Sequence, residues 1–566
     1  MADDPQGTNP DDISTRVATL HRHEEEARAQ DLAANLGVPW KDLMVTSIDG
    51  QALTLFPKKT LEAAQAVVIA KHDHKITLAM VDPRTQKTKQ LLKEIEKQGW
   101  AYNIAIVSKT SFTHVLAKYE RFAKFSSAIS GEVTLSREEI EEFTGKLEDL
   151  ASAGKELHRL EEKDFGKVIT AVLGAALALD ASDIHIEPTE KNARIRLRID
   201  GILQDLEGIS QKMYHLVLER VKLLASLKLN VTERGQDGRF TIHARGQDIE
   251  IRASTLPGPK GEFVVLRVLN PKNLLDINEL GLRPEMLTVV EEALKKPTGM
   301  ILTTGPTGSG KTTMLYAFVK RVATPEIKLI TIEDPIEYKI PGIEQSQVEP
   351  HSDYTFANGL RSIVRQDPDV ILVGEIRDQD TAATALQAAL TGHLVFSTLH
   401  TNDAPGAIPR LIELGIKPAT IAPALDTILG QRLVRKVCAL CNKKEAVVPS
   451  LLKKIRKALY GIPEKTVSKF LTTNPTLPEA VGCPQCHKTG YIGRIGIFEI
   501  FTMTPTMEAL TLNTPSIMQV RQAVVREGMI TLQQDGILRM LEGVTTLEEV
   551  ERVTGPLENM EAFLST

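Results

Sequence analysis

A short apolar and β-branched run, Met300-Ile-Leu-Thr-Thr304, leads straight into Gly305-Pro306-Thr307-Gly308-Ser309-Gly310-Lys311-Thr312, and a helically patterned stretch from Met314 to Val322 follows. No other part of the chain limits its fold as strongly. Glycines let the backbone curl until successive N–H groups surround one point, and a helix starting there adds the positive end of its dipole. The ligand such a cradle suits is a chain of phosphates. In this pattern the segment Gly305 to Thr313 wraps the phosphates, Lys311 reaches the β and γ groups, and the Thr312 hydroxyl is offered to Mg²⁺. Nucleotide binding, with ATP as the candidate, is the expected consequence.

The surrounding texture agrees. Met300 to Thr304, Lys328 to Ile332, Val370 to Val373 and Leu394 to Ser397 are continuous apolar runs separated by helical segments, the pattern of a parallel sheet covered on both faces. Ligands of such sheets bind at the carboxyl ends of the strands. Two carboxylates fall there, Glu333 in Ile330-Thr-Ile-Glu-Asp-Pro335 and Glu375 in Asp369-Val-Ile-Leu-Val-Gly-Glu375. Each is suited to holding Mg²⁺ or orienting an attacking water. A helix cap or a solvated loop acid is the alternative, and the upstream phosphate loop favours the catalytic reading. His393 and His400 bracket the strand Leu394 to Leu399 as candidate γ-phosphate sensors, against a plain structural role. Arg361, Arg365 and Arg377 are candidate phosphate ligands or surface charges.

Upstream, Ala193, Ile195, Leu197 and Ile199 alternate with Arg194, Arg196 and Arg198, a strand with one apolar and one cationic face. With no acidic row evident to pair with them, these arginines point to an anion supplied from elsewhere, such as ATP on a neighbouring subunit; a solvated face is the alternative. Asp183, His185 and Glu187 alternate with Ile184 and Ile186 and read as a polar strand face rather than a metal site. Asp200-Gly201 and Asp237-Gly238 read as hairpin turns.

All four cysteines lie in two CxxC pairs, Cys438/Cys441 and Cys483/Cys486. Two such turns aim four thiolates at one Zn²⁺, a closed and therefore structural site; disulfides or a redox pair are the alternatives. Lys443, Lys444, Lys453, Lys454, Arg456 and Lys457 make this region basic. With 4% aromatic residues the chain offers little to stack on single strands, so nucleic acid is not an expected partner.

The composition of the 566 residues, 42% hydrophobic and 25% charged with a net charge of −5, is globular and gives no overall basic footprint. The longest apolar run, Val168 to Leu179, is too short to cross a bilayer. The opening Met-Ala-Asp-Asp-Pro lacks the basic start of a secretory leader, so a cytoplasmic location is expected.

Taken in order, Gly305 to Thr312, Thr331 to Tyr338, Gly359 to Asp369, Val373 to Asp378 and Leu390 to Asp403 resemble the Walker A, Asp-box, Arg-containing, Walker B and His-box segments of the secretion ATPases. This superfamily powers type IV pilus assembly and type II secretion, and the pilus extension ATPases are the most similar. Ser182 to Pro188 and Gln236 to Arg239 resemble signatures of the family's second N-terminal domain. The resemblance implies an α/β, multidomain chain with a RecA-like parallel-sheet core, a preceding α/β domain with antiparallel hairpins, a four-cysteine zinc element and a helical C-terminal tail. The expected divisions are 1–123, a linker at 124–160, 161–272, 273–435, 436–490 and 491–566.

It also implies a homohexamer with ATP between the second domain and the core. Glu333 would position water, Glu375 would help hold Mg²⁺, and Arg239 or the Arg194 to Arg198 row would reach a neighbouring site. The ring would act peripherally at the inner face of the membrane, on a platform protein of a pilus or secretion machine. Retraction motors lack the extra N-terminal domain and the cysteines, which favours extension or secretion. Some members bind cyclic di-GMP through a tandem N-terminal module; residues 1–30 lack its opening half, and only Leu32 to Pro39 and Ala79 to Pro83 resemble it, which puts that ligand in doubt. The rival readings are a DNA-translocating ring and a nucleotide-gated assembly protein without turnover.

Overall fold

The computed structural model describes residues 10–565 apart from 45, 47, 49, 73–74, 127–131, 136–149, 164–165, 245, 271–273, 350–353, 469 and 471–474. Most of the linker expected at 124–160 lies outside them, at 127–131 and 136–149, as do the first nine residues of the chain. The chain forms two compact units, Met1–Leu269 and Asn270–Thr566.

The first unit holds two sheets. Strands β1 (Ala66–His72), β2 (Lys75–Met80) and β3 (Ala101–Ile106) make a small sheet, antiparallel between β1 and β2 and parallel between β2 and β3. The parallel crossover is the helix Gln86–Lys97, capped by Thr85 and ended at Gly99 in the left-handed region. A helix runs from Pro10 to Leu36. Its Glu26 is buried and accepts hydrogen bonds from Trp40 Nε1, Ser108 Oγ and Ser111 Oγ, which dock the helix on the sheet.

The larger sheet has seven strands in the order β4-β8-β9-β10-β5-β6-β7: β4 (Glu132–Leu135), β5 (Asp183–Pro188), β6 (Asn192–Ile199), β7 (Ile202–Ser210), β8 (Gln236–Ala244), β9 (Gln247–Gly258) and β10 (Gly261–Leu269). Only the β4/β8 pair is parallel. Residues 132–135, expected in a linker, are thus an edge strand. The helices Gly166–Ala178 and Gln211–Leu224 pack on one face with buried Ile184, Ile186, Ala193, Ile195 and Leu197.

The Asp200-Gly201 hairpin turn forms as expected, both residues taking positive φ. Asp237-Gly238 does not turn. Both residues lie inside β8, where a Cβ on Gly238 would stand 2.2 Å from the Ala225 carbonyl oxygen, so this glycine serves close packing.

The second unit is built on β13-β12-β14-β15-β11-β16-β19: β11 (Gly299–Thr304), β12 (Leu329–Glu333), β13 (Glu344–Gln347), β14 (Val370–Val373), β15 (Leu394–Leu399), β16 (Leu425–Val437) and β19 (Tyr491–Thr502). All pairs are parallel except β16 with β19. Successive residues of the central strands enter different cores. Met300, Leu302, Ile371 and Val395 join one cluster, while Ile301, Leu372 and Phe396 join the other. That is the doubly covered sheet the continuous apolar runs predict. Between the long strands β16 and β19 lies an excursion carrying the cysteines and a small hairpin, β17 (Lys443–Ala446) with β18 (Thr476–Glu479). Five helices from Pro505 to Ser565 close the unit. Among the described residues no helix is long and apolar enough to cross a membrane.

Candidate active site

β11 delivers the chain to the phosphate loop through five buried residues. Gly305, Gly308 and Gly310 all have positive φ, and the helix Lys311–Val322 starts immediately after. A Cβ at Gly305 would lie 2.6 Å from Gln431 O and Ser309 Oγ, and one at Gly310 would lie 2.8 Å from Gln431 Nε2. At Gly308 nothing stands within 4 Å, so that corner of the loop is open. The loop is therefore tightly backed on one side and free on the other, as a cradle requires.

Lys311 is buried, and its ammonium folds back to donate to Gly305 O at 2.6 Å and Pro306 O at 3.1 Å. Burial lowers its pKa to about 8; the nearby Glu375 opposes that fall and Arg432 adds to it. Ser309 Oγ and Gln431 Oε1 are buried with no hydrogen-bond partner among the described residues. Orphaned polar atoms around a curled glycine loop, with a cation inside it, fit a phosphate chain. Thr312, one residue on, is exposed and available to an ion.

Glu333 ends β12 with its carboxylate buried. Tyr316 Oη, from the helix after the loop, donates to one oxygen, while Thr331 Oγ1 at 2.7 Å and Gln345 Nε2 at 3.2 Å donate to the other. Burial and the Glu333 charge push the Tyr316 phenol well above its ordinary pKa, so it remains a donor. Glu375 follows β14. One of its oxygens pairs with Arg377 and the other lies 3.0 Å from His400 Nε2; Arg377 also approaches Asp334 at 3.6 Å. Lys311, Glu333, Glu375, Arg377 and His400 thus gather at the carboxyl ends of β11, β12, β14 and β15.

Other expected residues fall elsewhere. His393 sits at the opposite end of β15, bonded to Ala388 O, and its own carbonyl accepts from Gly299 at the start of β11. Six strand residues span about 20 Å, which removes it from the site. Arg361 and Arg365 are exposed and hydrogen-bond Asn358 and Ser362, three residues back on the same helical segment. Neither touches a phosphate-loop residue among the described residues.

The arginine row corrects the expectation more directly. β5 pairs antiparallel with β6 so that Asp183, His185 and Glu187 stand opposite Arg198, Arg196 and Arg194. Glu187 takes Arg194 and Arg196, and Asp183 takes Arg198 at 3.2 Å. The acidic row was present in the sequence as the alternation of residues 183–187, and only the sheet register shows that it faces the arginines. Arg239 remains open, its side chain 68% exposed and 3.9 Å from Glu250. Gln431 and Arg432 on β16 are the residues the motifs did not signal; they lie beyond the family segments and reach the loop by strand pairing.

In the second feature of this unit, Cys438 and Cys483 sulfurs lie 3.9 Å apart, Cys441 and Cys486 3.8 Å, and Cys483 and Cys486 3.7 Å. These exceed a disulfide bond and match the edge of about 3.8 Å of a tetrahedron with 2.3 Å zinc–sulfur bonds. Cys483 N and Gly490 N donate to Cys486 Sγ and stabilise a thiolate there.

A phosphate loop on a doubly covered parallel sheet, with carboxylates and a histidine at the adjoining strand ends, defines an ATPase of the P-loop class. The family model for type II/IV secretion system proteins matches residues 159–552, and one for the MshEN domain matches residues 36–125. The type IV pilus assembly ATPase PilB of Myxococcus xanthus is 35% identical over 98% of this chain and 96% of its own length. The type II secretion system protein E of Pseudomonas aeruginosa is 43% identical over 69% of this chain and 75% of its own. Among solved structures, the ATPase DotB of Yersinia pseudotuberculosis aligns with 68% of this chain and 93% of its own, with a TM-score of 0.50 and 20% identity, a likeness of fold. The chain belongs to the type II/IV secretion system protein family.

Proposed function

We propose that the chain is a Mg²⁺-dependent ATPase working as a hexameric ring, whose hydrolysis drives domain motion and so extends a type IV pilus or a type II secretion pseudopilus. The observation that carries this reading is the buried Lys311 inside a glycine cradle beside the Glu375–His400–Arg377 cluster. Thr312 and Glu375 would hold Mg²⁺, and Mg·ATP would supply an in-line phosphoryl transfer to water. Glu333 would position that water once its carboxylate leaves Tyr316. His400, already on Glu375, would report the γ-phosphate. Arg239, its side chain 68% exposed in the first unit, would be the candidate to serve a neighbouring subunit.

The four cysteines would hold one structural zinc. A cytoplasmic location and attachment to an inner-membrane platform protein belong to the same reading, as does the six-part division of the chain apart from its linker, where residues 132–135 form a strand; the names of the relatives support the pilus and secretion setting. The MshEN match makes cyclic di-GMP a ligand to test against residues 36–125.

The test is phosphate release from ATP by the full chain and by Lys311→Ala, each with and without DNA. Lys311-dependent release indifferent to DNA is expected. Retained turnover in Lys311→Ala would overturn the phosphate role. Strong stimulation by DNA would replace the filament motor with a translocase, and nucleotide binding without turnover would replace it with a nucleotide gate.

A further inference from the structure

β16 runs beside β11 with Thr304 opposite Gly430, so Gln431 and Arg432 flank the phosphate loop as it leaves the sheet. Gln431 is 2% exposed and backs the loop from two directions. Its carbonyl crowds Gly305, its amide nitrogen crowds Gly310, and its Oε1 is left without a partner among the described residues. Arg432 is half-buried. One terminal nitrogen donates to Asn402 O at 2.8 Å, while its Nε is buried and unpartnered among the described residues.

The electrostatics point the same way. Arg432 lies close enough to Lys311 to disfavour its charge, and burial disfavours the Arg432 charge, with Glu499 and Asp403 opposing. Two cations and the orphaned Ser309 hydroxyl therefore stand around one loop; Lys311 is held by the loop's own carbonyls and Arg432 by Asn402 O. Once its terminal nitrogen leaves the Asn402 carbonyl, the guanidinium offers that nitrogen and Nε on one edge, which binds two oxygens of a phosphate in parallel, a geometry an ammonium lacks.

We propose that Arg432 is a phosphate-contacting residue of its own chain's nucleotide site, exchanging the Asn402 carbonyl for the terminal phosphate of ATP. The exchange frees the strand-end loop from His400 to Ala404, whose far end is held by Glu499 through the Ala404 N–H at 2.6 Å. Nucleotide state would thus be read on the same loop that carries His400. This rests on the ATPase reading above.

The experiment titrates the full chain, Arg432→Gln and Arg432→Lys with ADP and with a non-hydrolysable ATP analogue, and measures kcat and KM for ATP. A lost charge-assisted contact to the terminal phosphate weakens the analogue by about tenfold or more and ADP by less than about threefold. Arg432→Lys should fall between. Melting without nucleotide should change little.

Equal losses for both nucleotides with a lowered melting temperature would make Arg432 a structural brace and overturn the proposal, as would wild-type affinity in Arg432→Gln. If Arg432→Gln does not fold, an unchanged ratio of analogue to ADP affinity in Arg432→Lys overturns it, and a reduced ratio supports it. Failure of the wild-type chain to bind either nucleotide would instead remove the ATPase reading on which it rests.

Discussion

Glu499 on β19 is fully buried, and burial raises its pKa from 4.5 to about 7, aided by the nearby Asp403 and opposed by Arg521. Its two oxygens accept from Ala404 N at 2.6 Å and Leu532 N at 3.2 Å, so one carboxyl group ties the His400 loop to the start of the helix Leu532–Leu541. Because the folded carboxyl keeps its proton where the unfolded one has lost it, this residue's contribution falls as pH rises from about 4.5 through 7. A shift of roughly 2.5 units at 1.36 kcal/mol each amounts to about 3 kcal/mol.

Glu499→Gln cannot ionise, so the pH slope disappears. It also turns an amide NH₂ toward one of the two N–H groups and costs about 1–3 kcal/mol at low pH. Amide exchange followed by mass spectrometry on peptides containing Ala404 and Leu532, corrected for intrinsic rates, reads this locally. Between pH 5 and 8 the wild-type protection should fall by about 2.5 kcal/mol relative to the variant. Parallel curves for the two proteins would refute the assignment.

Cys438→Ser, or chelation, should remove one bound zinc per chain measured by elemental analysis and lower the melting temperature; no bound metal in the wild type would refute the site. Gly238→Ala should cost several kcal/mol because its Cβ meets a backbone carbonyl at 2.2 Å, and denaturant unfolding that matches wild type would contradict the packing described. Arg283 is buried against Asp535 and Glu542, and Asp535 also accepts from Phe498 N. Arg283→Met leaves an unpaired buried carboxylate and should cost about 3–5 kcal/mol. A double variant with Asp535 also made apolar should recover part of that, and strictly additive losses would rule out the coupling.

The phosphate loop and the parallel sheet were legible because each rests on contiguous residues: a glycine spacing, and apolar runs buried on both faces. What the sequence hid depends on register or on pairing between distant strands. The Arg194 to Arg198 row looked unbalanced until β5 placed Asp183 and Glu187 against it. His393 and His400 look equivalent along the chain, but the strand between them puts one at the amino end of the sheet and the other at the carboxyl end. Asp237-Gly238 carries the composition of a turn, yet the approach of the Ala225 carbonyl, set by the helix before it, makes it strand. Gln431 and Arg432 reach the phosphate loop only because β16 lies beside β11, a neighbour that no local pattern announces.

β16 has a mechanical consequence. The strand is paired with β11 up to Gly430, flanks the phosphate loop at Gln431, and continues, bonded to β19, to Val437, next to the first cysteine. A two-stranded ribbon of this length resists bending far more than a loop does, so it works as a beam clamped at the nucleotide end. With about 20 Å between Gln431 and Val437, a tilt of roughly 5° at the clamp carries the cysteine end nearly 2 Å sideways. A register irregularity between Arg435 and Val437, with Arg435 bonded to Glu549 and Val437 N donating to Val544 O, ties that end to the C-terminal helical region, so an adjustment at the phosphates is delivered to the four cysteines and those helices together.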